Sequence, residues 1–181
     1  MNLSKRAELM PASPIRKLVP FAQEAKKRGI KVYHLNIGQP DIKTPELFFE
    51  AIRNFNAPVL AYALSQGDLQ LIDSFREYYK KWNIDFAQNE IIITNGGSEA
   101  IIMSMMAIGD PGDEVLIPEP FYANYNGFAC EAGMTVSPIT TKAEEGFHLP
   151  SKEYIKSLIK PNTKAIMISN PGNTTGAVYT K

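Results

Sequence analysis

A strand–turn–helix pattern near the middle of the chain constrains the fold more than any other feature. Three consecutive β-branched residues, Ile91–Ile93, predict a short buried strand. The turn Asn95-Gly96-Gly97 follows, and both of its residue types tolerate positive φ angles at little cost. Ser98 is typical of a helix N-cap, and the acidic Glu99 suits the positive end of a helix dipole. The segment 100–108 is apolar on nearly every side, which predicts a buried helix.

This turn has the features of an anion-binding site. The first N–H groups of a helix have no partner within the helix, and an anion satisfies them well. Gly96 and Gly97 would let a phosphate group approach the backbone closely, and the Ser98 hydroxyl adds a donor. The same residues also fit an ordinary strand–turn–helix with a serine cap. Taken alone, the pattern leaves both interpretations open.

Charge and composition exclude several classes of function. The 19 basic and 19 acidic residues of the 181 cancel, so we expect no general attraction to nucleic acid or to anionic membranes. No segment approaches the ~20 apolar residues of a membrane span. His34 and His148 do not have the spacing of metal ligands, so we expect no metal. The single cysteine, Cys130, excludes an internal disulfide framework, and a cytoplasmic protein is therefore the expectation.

The rest of the chain alternates short apolar strands with helices. Strands are expected at 114–117, 134–139 and 165–169, and a strand or extended segment at 31–37. Helices are expected at 17–28, 68–82 and 152–159. Two more are expected, one that begins at Thr44-Pro45 and one that follows Tyr122 and ends at about residue 132. Residues 1–16 are expected to form an arm, because Pro11 and Pro14 interrupt them. The alternation predicts an α/β fold with right-handed βαβ units and a mostly parallel sheet.

Two of these helices have a predicted apolar face. In the helix that Thr44 would cap, the face consists of Phe48, Phe49, Ile52 and Phe55. In the helix that Asp68 would cap, it consists of Leu71, Phe75, Tyr78 and Trp82.

Three strand exits carry distinctive residues. The segments that follow the predicted strands are Asn95–Ser98, Pro118–Tyr122 and Asn170–Gly176. Ligands of open α/β sheets bind beyond the carboxyl ends of the strands, so these segments should meet at one cleft. The set suits a flat, phosphorylated, aromatic ligand, with its ring against Tyr122 and a ring substituent bonded by Asn173. The alternatives are that Tyr122 packs at a helix start and that Asn173 is a turn residue.

Five segments together resemble one known family. They are 37–41 (Ile-Gly-Gln-Pro-Asp), Tyr62 with Gly67, 96–98 (Gly-Gly-Ser), Tyr122, and 170–176 (Asn-Pro-Gly-Asn-Thr-Thr-Gly). With these segments the chain resembles the N-terminal part of a fold-type-I, pyridoxal-phosphate-dependent aminotransferase of class I/II, the aspartate aminotransferase-like group. Segment 170–176 is the most specific, since it is similar to the family's Asn-Pro-x-Asn-Pro-Thr-Gly box. Thr174 stands where the family usually has proline.

The resemblance implies a role for each of these residues. The turn 96–98 would hold the phosphate of pyridoxal 5'-phosphate, and Tyr122 would stack on its pyridine ring. Asn173 would bond the phenolic oxygen of the cofactor and border the substrate. The backbone N–H of Gly38 would hold the α-carboxylate of the substrate. Tyr62 would reach across a homodimer to the cofactor phosphate of the neighbouring subunit.

The resemblance also implies a three-layer α-β-α arrangement divided between two domains. Residues 1–40 would form an arm and a segment of the small domain, and residues 41–181 an incomplete large cofactor-binding domain. The family's Schiff-base lysine, its aspartate at the pyridine nitrogen and its carboxylate-binding arginine all follow the box. None of the lysines present matches the Schiff-base motif, so the chain is expected to be an inactive N-terminal fragment without a catalytic residue of its own.

The expected activity of the complete protein is the transfer of an amino group between an amino acid and a 2-oxo acid. Two alternatives remain at this stage. One is a different reaction on the same scaffold, such as that of a lyase or decarboxylase, because a fold does not fix a reaction. The other is a non-catalytic regulatory or binding protein, such as the aminotransferase-like half of a transcription regulator.

Overall fold

The computed structural model describes residues 2–13, 16–36 and 38–180, and these residues form two units. Three parallel strands form the centre of one unit. The sheet unit contains the described residues of Met1–Val32 and Gly96–Lys181. The second unit, Tyr33–Asn95, contains helices among its described residues.

The sheet has the strand order β2-β1-β3, with β1 at Glu114–Glu119, β2 at Thr135–Thr140 and β3 at Thr163–Ile166. The central strand β1 pairs in parallel with both neighbours. Parallel strands are usually covered on both faces, and residues 114–118 of β1 are all buried. The predicted α/β fold with a parallel sheet is confirmed, and each strand predicted at 114–117, 134–139 and 165–169 overlaps an observed strand.

The core of the sheet unit lies between β1 and two helices, α5 (Gly96–Ile108) and α6 (Asn124–Glu131). Its buried residues are Met105, Val115, Ile117, Phe128, Ala129 and Met134. A further helix, α7 (Lys152–Leu158), precedes β3, and the Ser151 side chain caps it by accepting from the backbone N of Tyr154 (3.2 Å). The segments after β1 and β3 therefore belong to the same unit as the start of α5.

Helix α5 differs from its prediction in two respects. It begins at Gly96, so Ser98 lies in the first turn and is not the N-cap. The helix is also covered on one side only, because Met105 is 3% exposed whereas Met106 is 63% exposed. Its apolar composition therefore predicted more burial than the described chain provides.

The N-terminal residues are more regular than an arm. A short helix, α1 (Lys5–Leu9), is capped by the Ser4 side chain and contacts α6, and the Cys130 thiol donates to the carbonyl oxygen of Arg6 (3.6 Å). The predicted helix at 17–28 is observed as a 3-10 turn at Arg16–Leu18 followed by α2 (Val19–Lys27). Pro14, part of the predicted arm, lies outside the described residues.

The second unit contains α3 (Glu46–Asn54) and α4 (Leu69–Lys80). Pro45, and not Thr44, occupies the N-cap position of α3, and it makes no side-chain capping bond. The predicted apolar face of α3 is exposed, with Phe48 56% exposed. Asp68 caps α4 as predicted, since its Oδ1 accepts from the backbone N of Leu71 (3.0 Å).

The covered side of α4 is not the predicted one. Ile72 is fully buried, whereas Trp82 of the predicted face is 65% exposed. The segment after the helix explains the difference: Arg76 Nε donates to the carbonyl oxygen of Phe86 (2.8 Å), and the rings of Tyr79 and Phe86 meet edge to face at 5.2 Å. Residues 72, 76 and 79 share a helical face, so the chain covers that side.

The predicted strand at Ile91–Ile93 is not observed. Ile92 is 60% exposed, and the backbone N of Ile93 donates to the carbonyl oxygen of Gln66 (2.8 Å) rather than to a neighbouring strand. Gly67 has a φ of +116°, and a Cβ there would lie 2.6 Å from the Ile93 side chain. Residues 31–36 also form no strand, and Ile37 lies outside the described residues. Short 3-10 turns occur at Gln88–Glu90 and Ala143–Glu145.

Candidate functional site

The segment after β1 presents Tyr122 just before α6. The Tyr122 ring is half-buried and meets the Tyr125 ring edge to face, with centroids 5.5 Å apart. Its hydroxyl oxygen accepts a hydrogen bond from Asn124 Nδ2 (2.6 Å). These contacts hold both the ring and its polar end, so its orientation is well defined.

The segment after β3 forms a turn that is closed by its own hydrogen bonds. The Asn170 side chain pairs with the backbone of Tyr179, donating to its carbonyl oxygen (3.1 Å) and accepting from its N–H (2.9 Å). Gly172 N donates to Ala177 O (2.8 Å). Asn173 is exposed in this turn. Among the described residues, the cis peptide bonds precede Pro120 and Pro171, and the bond between Asn173 and Thr174 is trans.

Tyr122 and Asn173 line the same cleft. The remaining lining residues are Ile117, Pro118, Phe121, Tyr125, Ser169, Gly172 and Tyr179. The interior of the cleft is only about 20 Å³, which is room for about one water molecule. A six-membered ring would therefore lie against the mouth of the cleft, with Tyr122 and Asn173 as its neighbours. Of the three segments that the sequence predicted to meet at one cleft, those after β1 and β3 line it, whereas residues 95–98 are not among its lining residues.

The first turn of α5 is sterically open. Gly96 and Gly97 are exposed, and a Cβ added at either would meet nothing within 4 Å. Gly96 has a φ of +79°, a conformation that glycine adopts without strain. Ser98, also exposed, adds a hydroxyl to the N–H groups of this turn. Ile101, one turn further along, packs against the same core cluster as Tyr122.

These residues have the chemistry that pyridoxal phosphate requires. An open helix N-terminus with a serine hydroxyl can accept a phosphate, an aromatic face can stack on a pyridine ring, and an amide can donate to a phenolic oxygen. The set therefore fits the cofactor that the resemblance implies. Among the described residues there is no cluster of His, Cys, Asp and Glu suited to a metal ion.

Gly38 and Tyr62 belong to the second unit. Tyr62 is fully exposed, and Gly38 is exposed with no atom within 4 Å of the place that a Cβ would take. Ile37, the first residue of the Gly38 motif, lies outside the described residues. The roles that the resemblance gives to Gly38 and Tyr62 remain predictions.

Sequence reasoning missed two residues beside the cleft. Asn124 holds the Tyr122 hydroxyl, and Thr174 donates a hydrogen bond to the carbonyl oxygen of Pro120. Asn124 lies in the first turn of α6, where a polar residue carries no special signal. Thr174 was noticeable only as a departure from the family's box. In the part of the chain that the structure describes, no helix combines the length and the apolar character needed to cross a membrane.

Comparison with known proteins identifies the family of the chain. The family model described as aminotransferase class I and II matches residues 30–181. The chain is 35% identical to the aspartate/prephenate aminotransferase of Thermus thermophilus over 182 aligned positions, which cover 99% of this chain and 47% of that protein. It is also 35% identical to aromatic-amino-acid aminotransferase 2 of Thermococcus litoralis, covering 100% of this chain and 46% of that protein.

Solved structures give the same result. The structure of aspartate aminotransferase from Thermotoga maritima matches with a TM-score of 0.88 at 32% identity, covering 98% of this chain and 48% of that one. Alanine aminotransferase from Pyrococcus furiosus matches with a TM-score of 0.87 at 34% identity, covering 99% and 47%. The chain thus spans about half the length of the relatives it matches. It belongs to the class I and II aminotransferase family.

Proposed function

We propose that this chain forms the cofactor-binding part of a pyridoxal-phosphate-dependent aminotransferase. The observation that carries the proposal is that Tyr122 and Asn173 line one cleft at the ends of two neighbouring parallel strands. In open α/β sheets, ligands bind beyond the carboxyl ends of the strands. When bound, pyridoxal phosphate supplies an electron sink for moving an amino group between an amino acid and a 2-oxo acid, while the protein supplies binding and orientation.

The first turn of α5 would bind the phosphate. Its backbone N–H groups lie at the positive end of a helix of 13 residues, and Gly96 and Gly97 have no side chain to block an anion. The Ser98 hydroxyl adds one donor. Phosphate binding at this turn would fix one end of the cofactor and leave its ring for the residues of the cleft.

Tyr122 and Asn173 would orient the ring. The face of Tyr122 offers a stacking surface that its contacts with Tyr125 and Asn124 hold in place. The Asn173 amide would donate to the phenolic oxygen and so favour the ionised form of that oxygen. In the substrate complex, Asn173 and the backbone N–H of Gly38 would contact the amino acid. The Gly38 N–H is the donor expected to hold its α-carboxylate.

The complete enzyme needs groups beyond these. Covalent catalysis requires an amine near the cofactor, and no lysine in the chain matches the Schiff-base motif, so we expect that amine to lie outside the 181 residues. We also propose a homodimer, in which Tyr62 binds the cofactor phosphate of the neighbouring subunit, and a cytoplasmic location. We propose that the small domain includes residues 1–40 and that the large domain includes residues 41–181.

The proposed function is tested with the whole protein and a panel of amino donors. The relatives' names include aspartate, prephenate, aromatic amino acids and alanine, so the panel contains aspartate, phenylalanine and alanine with several 2-oxo acids. We expect pyridoxal-phosphate-dependent formation of a new amino acid, measured by chromatography, and its loss in Asn173→Ala. Release of carbon dioxide or of an unsaturated product without amino-group transfer would instead indicate a decarboxylase or a lyase.

A further inference from the structure

One side chain joins the two segments that border the cleft. The Thr174 hydroxyl donates to the backbone carbonyl oxygen of Pro120. In the part of the chain that the structure describes, no other side-chain hydrogen bond links residues 118–122 to residues 170–176. Thr174 is the immediate neighbour of Asn173, and Pro120 is two residues before Tyr122. The bond therefore joins the two segments that carry the candidate ligand-contacting side chains.

The turn that carries Asn173 is held together internally. Gly176 N donates to Gly172 O (2.9 Å), Ala177 N to Thr175 Oγ1 (3.1 Å), and Gly172 N to Ala177 O (2.8 Å). A Cβ at Gly172 would lie 2.5 Å from Thr175 Oγ1, so the turn is also tightly packed. Such a turn moves largely as one body. Its position relative to Tyr122 then depends on the bonds that it makes outside itself, and Thr174 supplies one of them.

The acceptor side of this bond is also fixed. The carbonyl oxygen of Glu119 accepts from the Thr141 hydroxyl, and Glu119 Oε1 accepts from the Thr140 hydroxyl (2.9 Å). Two residues after Pro120, the Tyr122 hydroxyl is held by Asn124. The Pro120 carbonyl therefore lies between two anchored points. A hydrogen bond to it transmits the position of the β1 segment to the turn after β3.

We propose that Thr174 is a positioning residue that sets the spacing between Asn173 and Tyr122 through its hydrogen bond to Pro120. The proposal deepens the proposed function and rests on it in one respect, namely that a flat ring binds beside Tyr122 and Asn173. Thr174 itself touches no ligand in this arrangement. Without its hydroxyl, the turn keeps its own hydrogen bonds but samples a wider range of positions, so the Asn173 amide is less often aligned with an acceptor on the ring.

Three substitutions separate this role from a general effect on folding. Thr174→Val removes the hydroxyl and keeps the shape of the side chain, whereas Thr174→Ser keeps the hydroxyl. The matched control is Thr135→Val, which removes a bond from a threonine hydroxyl to the backbone carbonyl oxygen of Asp113 (3.5 Å) at the other end of the sheet. Thr174 and Thr135 are both exposed, so we expect all three variants to fold, and their melting temperatures check this. Thr174→Ala replaces the valine variant if the latter does not fold.

The first readout needs no cofactor. Amide hydrogen exchange of residues 172–177, followed by mass spectrometry, reports how often the turn opens. We expect exchange about fivefold faster in Thr174→Val than in the wild type, the effect of losing one hydrogen bond worth ~1 kcal/mol. Thr174→Ser and Thr135→Val should exchange at the wild-type rate in this segment. Equal exchange in Thr174→Val and the wild type would overturn the proposal, whatever the function of the protein.

The second readout is the affinity for pyridoxamine 5'-phosphate, measured by calorimetry with the whole protein. This ligand has no aldehyde, so its binding does not depend on a lysine. We expect affinity about fivefold weaker in Thr174→Val and near the wild-type value in Thr174→Ser and Thr135→Val. In an Asn173→Ala background, Thr174→Val should have no further effect, because a positioning residue acts through the residue that it positions.

Each result bears on the proposal. A loss of affinity in Thr174→Val that persists at full size in the Asn173→Ala background would overturn the positioning role, and so would an unchanged affinity in Thr174→Val. If the wild type fails to bind pyridoxamine phosphate, the proposed function fails. Even in that case, amide exchange that is faster in Thr174→Val than in the other variants would support the hydrogen bond as the link that positions the turn.

Discussion

The ring of Tyr122 contacts the Tyr125 ring edge to face and is held at its hydroxyl by Asn124, which defines its orientation beside the cleft. We expect Tyr122→Ala to weaken pyridoxamine phosphate binding by about tenfold, because an aromatic pair contributes ~0.5–1.5 kcal/mol beyond its buried area. Tyr125→Ala should weaken it less, since Tyr125 is not the ring that is expected to stack on the ligand. Calorimetric titration of both variants checks this. Equal losses would contradict the assignment of Tyr122 as the stacking ring.

Glu114 is a second residue whose role follows from its contacts. It is 5% exposed, and its carboxylate accepts from Lys160 Nζ (2.8 Å) and from the Thr163 hydroxyl (2.7 Å). The hydrogen bond from Lys160, then that from Thr163, lowers the pKa of Glu114 below its ordinary value of 4.5, although burial opposes the shift. The bonds also tie the start of β1 to β3 at the end of the sheet opposite the cleft.

This pKa shift predicts an acid-labile sheet. Because the folded pKa of Glu114 lies below the unfolded value, its contribution to stability is present above the unfolded pKa and is lost as the pH falls through the folded pKa. We expect the free energy of unfolding to fall with decreasing pH below about 4.5 less steeply in Glu114→Gln than in the wild type. Urea unfolding at several pH values measures this free energy. The control is Glu131→Gln, which removes an exposed carboxylate on α6. Identical pH slopes in wild type and Glu114→Gln would contradict the prediction.

At the scale of single residues, the sequence predicted positions better than contacts. Tyr122 and Asn173 were identified because each follows a predicted parallel strand, and strand exits follow from apolar runs and turn residues. The bond from Thr174 joins two segments that are 54 residues apart, whereas the bond from Asn124 joins residues only two apart. Both bonds depend on side-chain directions, for which no periodic pattern exists.

Among the elements, the first turn of α5 gives the sharpest prediction. Gly97 has no positive φ and no atom within 4 Å of an added Cβ, so Gly97→Ala should fold with an unchanged melting temperature. The new methyl group would stand where a phosphate approaches the N–H groups. We expect binding of inorganic phosphate or pyridoxamine phosphate to weaken at least several-fold. Gly127→Ala in α6, where an added Cβ would be 3.7 Å from Met10, is the control and should bind normally.

A crystal soak addresses the same turn directly. We expect phosphate or sulfate to occupy the turn Gly96–Ser98, since the N–H groups of an open helix N-terminus attract anions. Electron density at the turn is the measurement. An empty turn, with its N–H groups bonded elsewhere in the protein, would contradict the prediction.

Helix faces show why the elements were predicted better than their packing. The sequence located α4 and its Asp68 cap correctly, because capping is a local interaction between neighbours in the chain. It placed the apolar face on Leu71 and Trp82, but Ile72 is the buried residue, and the returning segment contacts residues 76 and 79 on the same side of α4. An apolar side chain indicates that another part of the protein covers it. Which segment covers it depends on the path of residues that are distant in the sequence.

For the molecule as a whole, exposed apolar surface predicts self-association. Met103, Met106 and Ile108 on α5 are 47%, 63% and 49% exposed, and Phe48 and Tyr78 in the other unit are 56% and 52% exposed. Large exposed apolar patches favour association in water. We expect the isolated 181-residue chain to sediment as a concentration-dependent mixture of oligomers. A single monomeric species at all concentrations in analytical ultracentrifugation would contradict this.

The last prediction concerns what the 181 residues can do by themselves. The chain carries an open helix N-terminus and Tyr122, so weak, phosphate-dependent binding of pyridoxal phosphate is expected. It contains no lysine at a position that matches the family's Schiff-base motif. Lys160 and Lys164 lie near the start of β3 and pair with Glu114 and Asp113, at the end of the sheet opposite the cleft. We therefore expect no transaminase activity and no specific covalent adduct from the isolated chain.

Reduction with borohydride after mixing with pyridoxal phosphate converts any imine into a stable bond, and mass spectrometry then locates the modified lysines. We expect low labelling spread over exposed lysines, with Lys142 (64% side-chain exposure) among them and Glu114-bound Lys160 labelled less than its exposure suggests. The ion pair with Glu114 at 2.8 Å makes the Lys160 amine less available to an approaching aldehyde. One stoichiometric adduct at a single lysine would instead show that a functional amine lies within these residues, and the proposed division of the site would then be wrong.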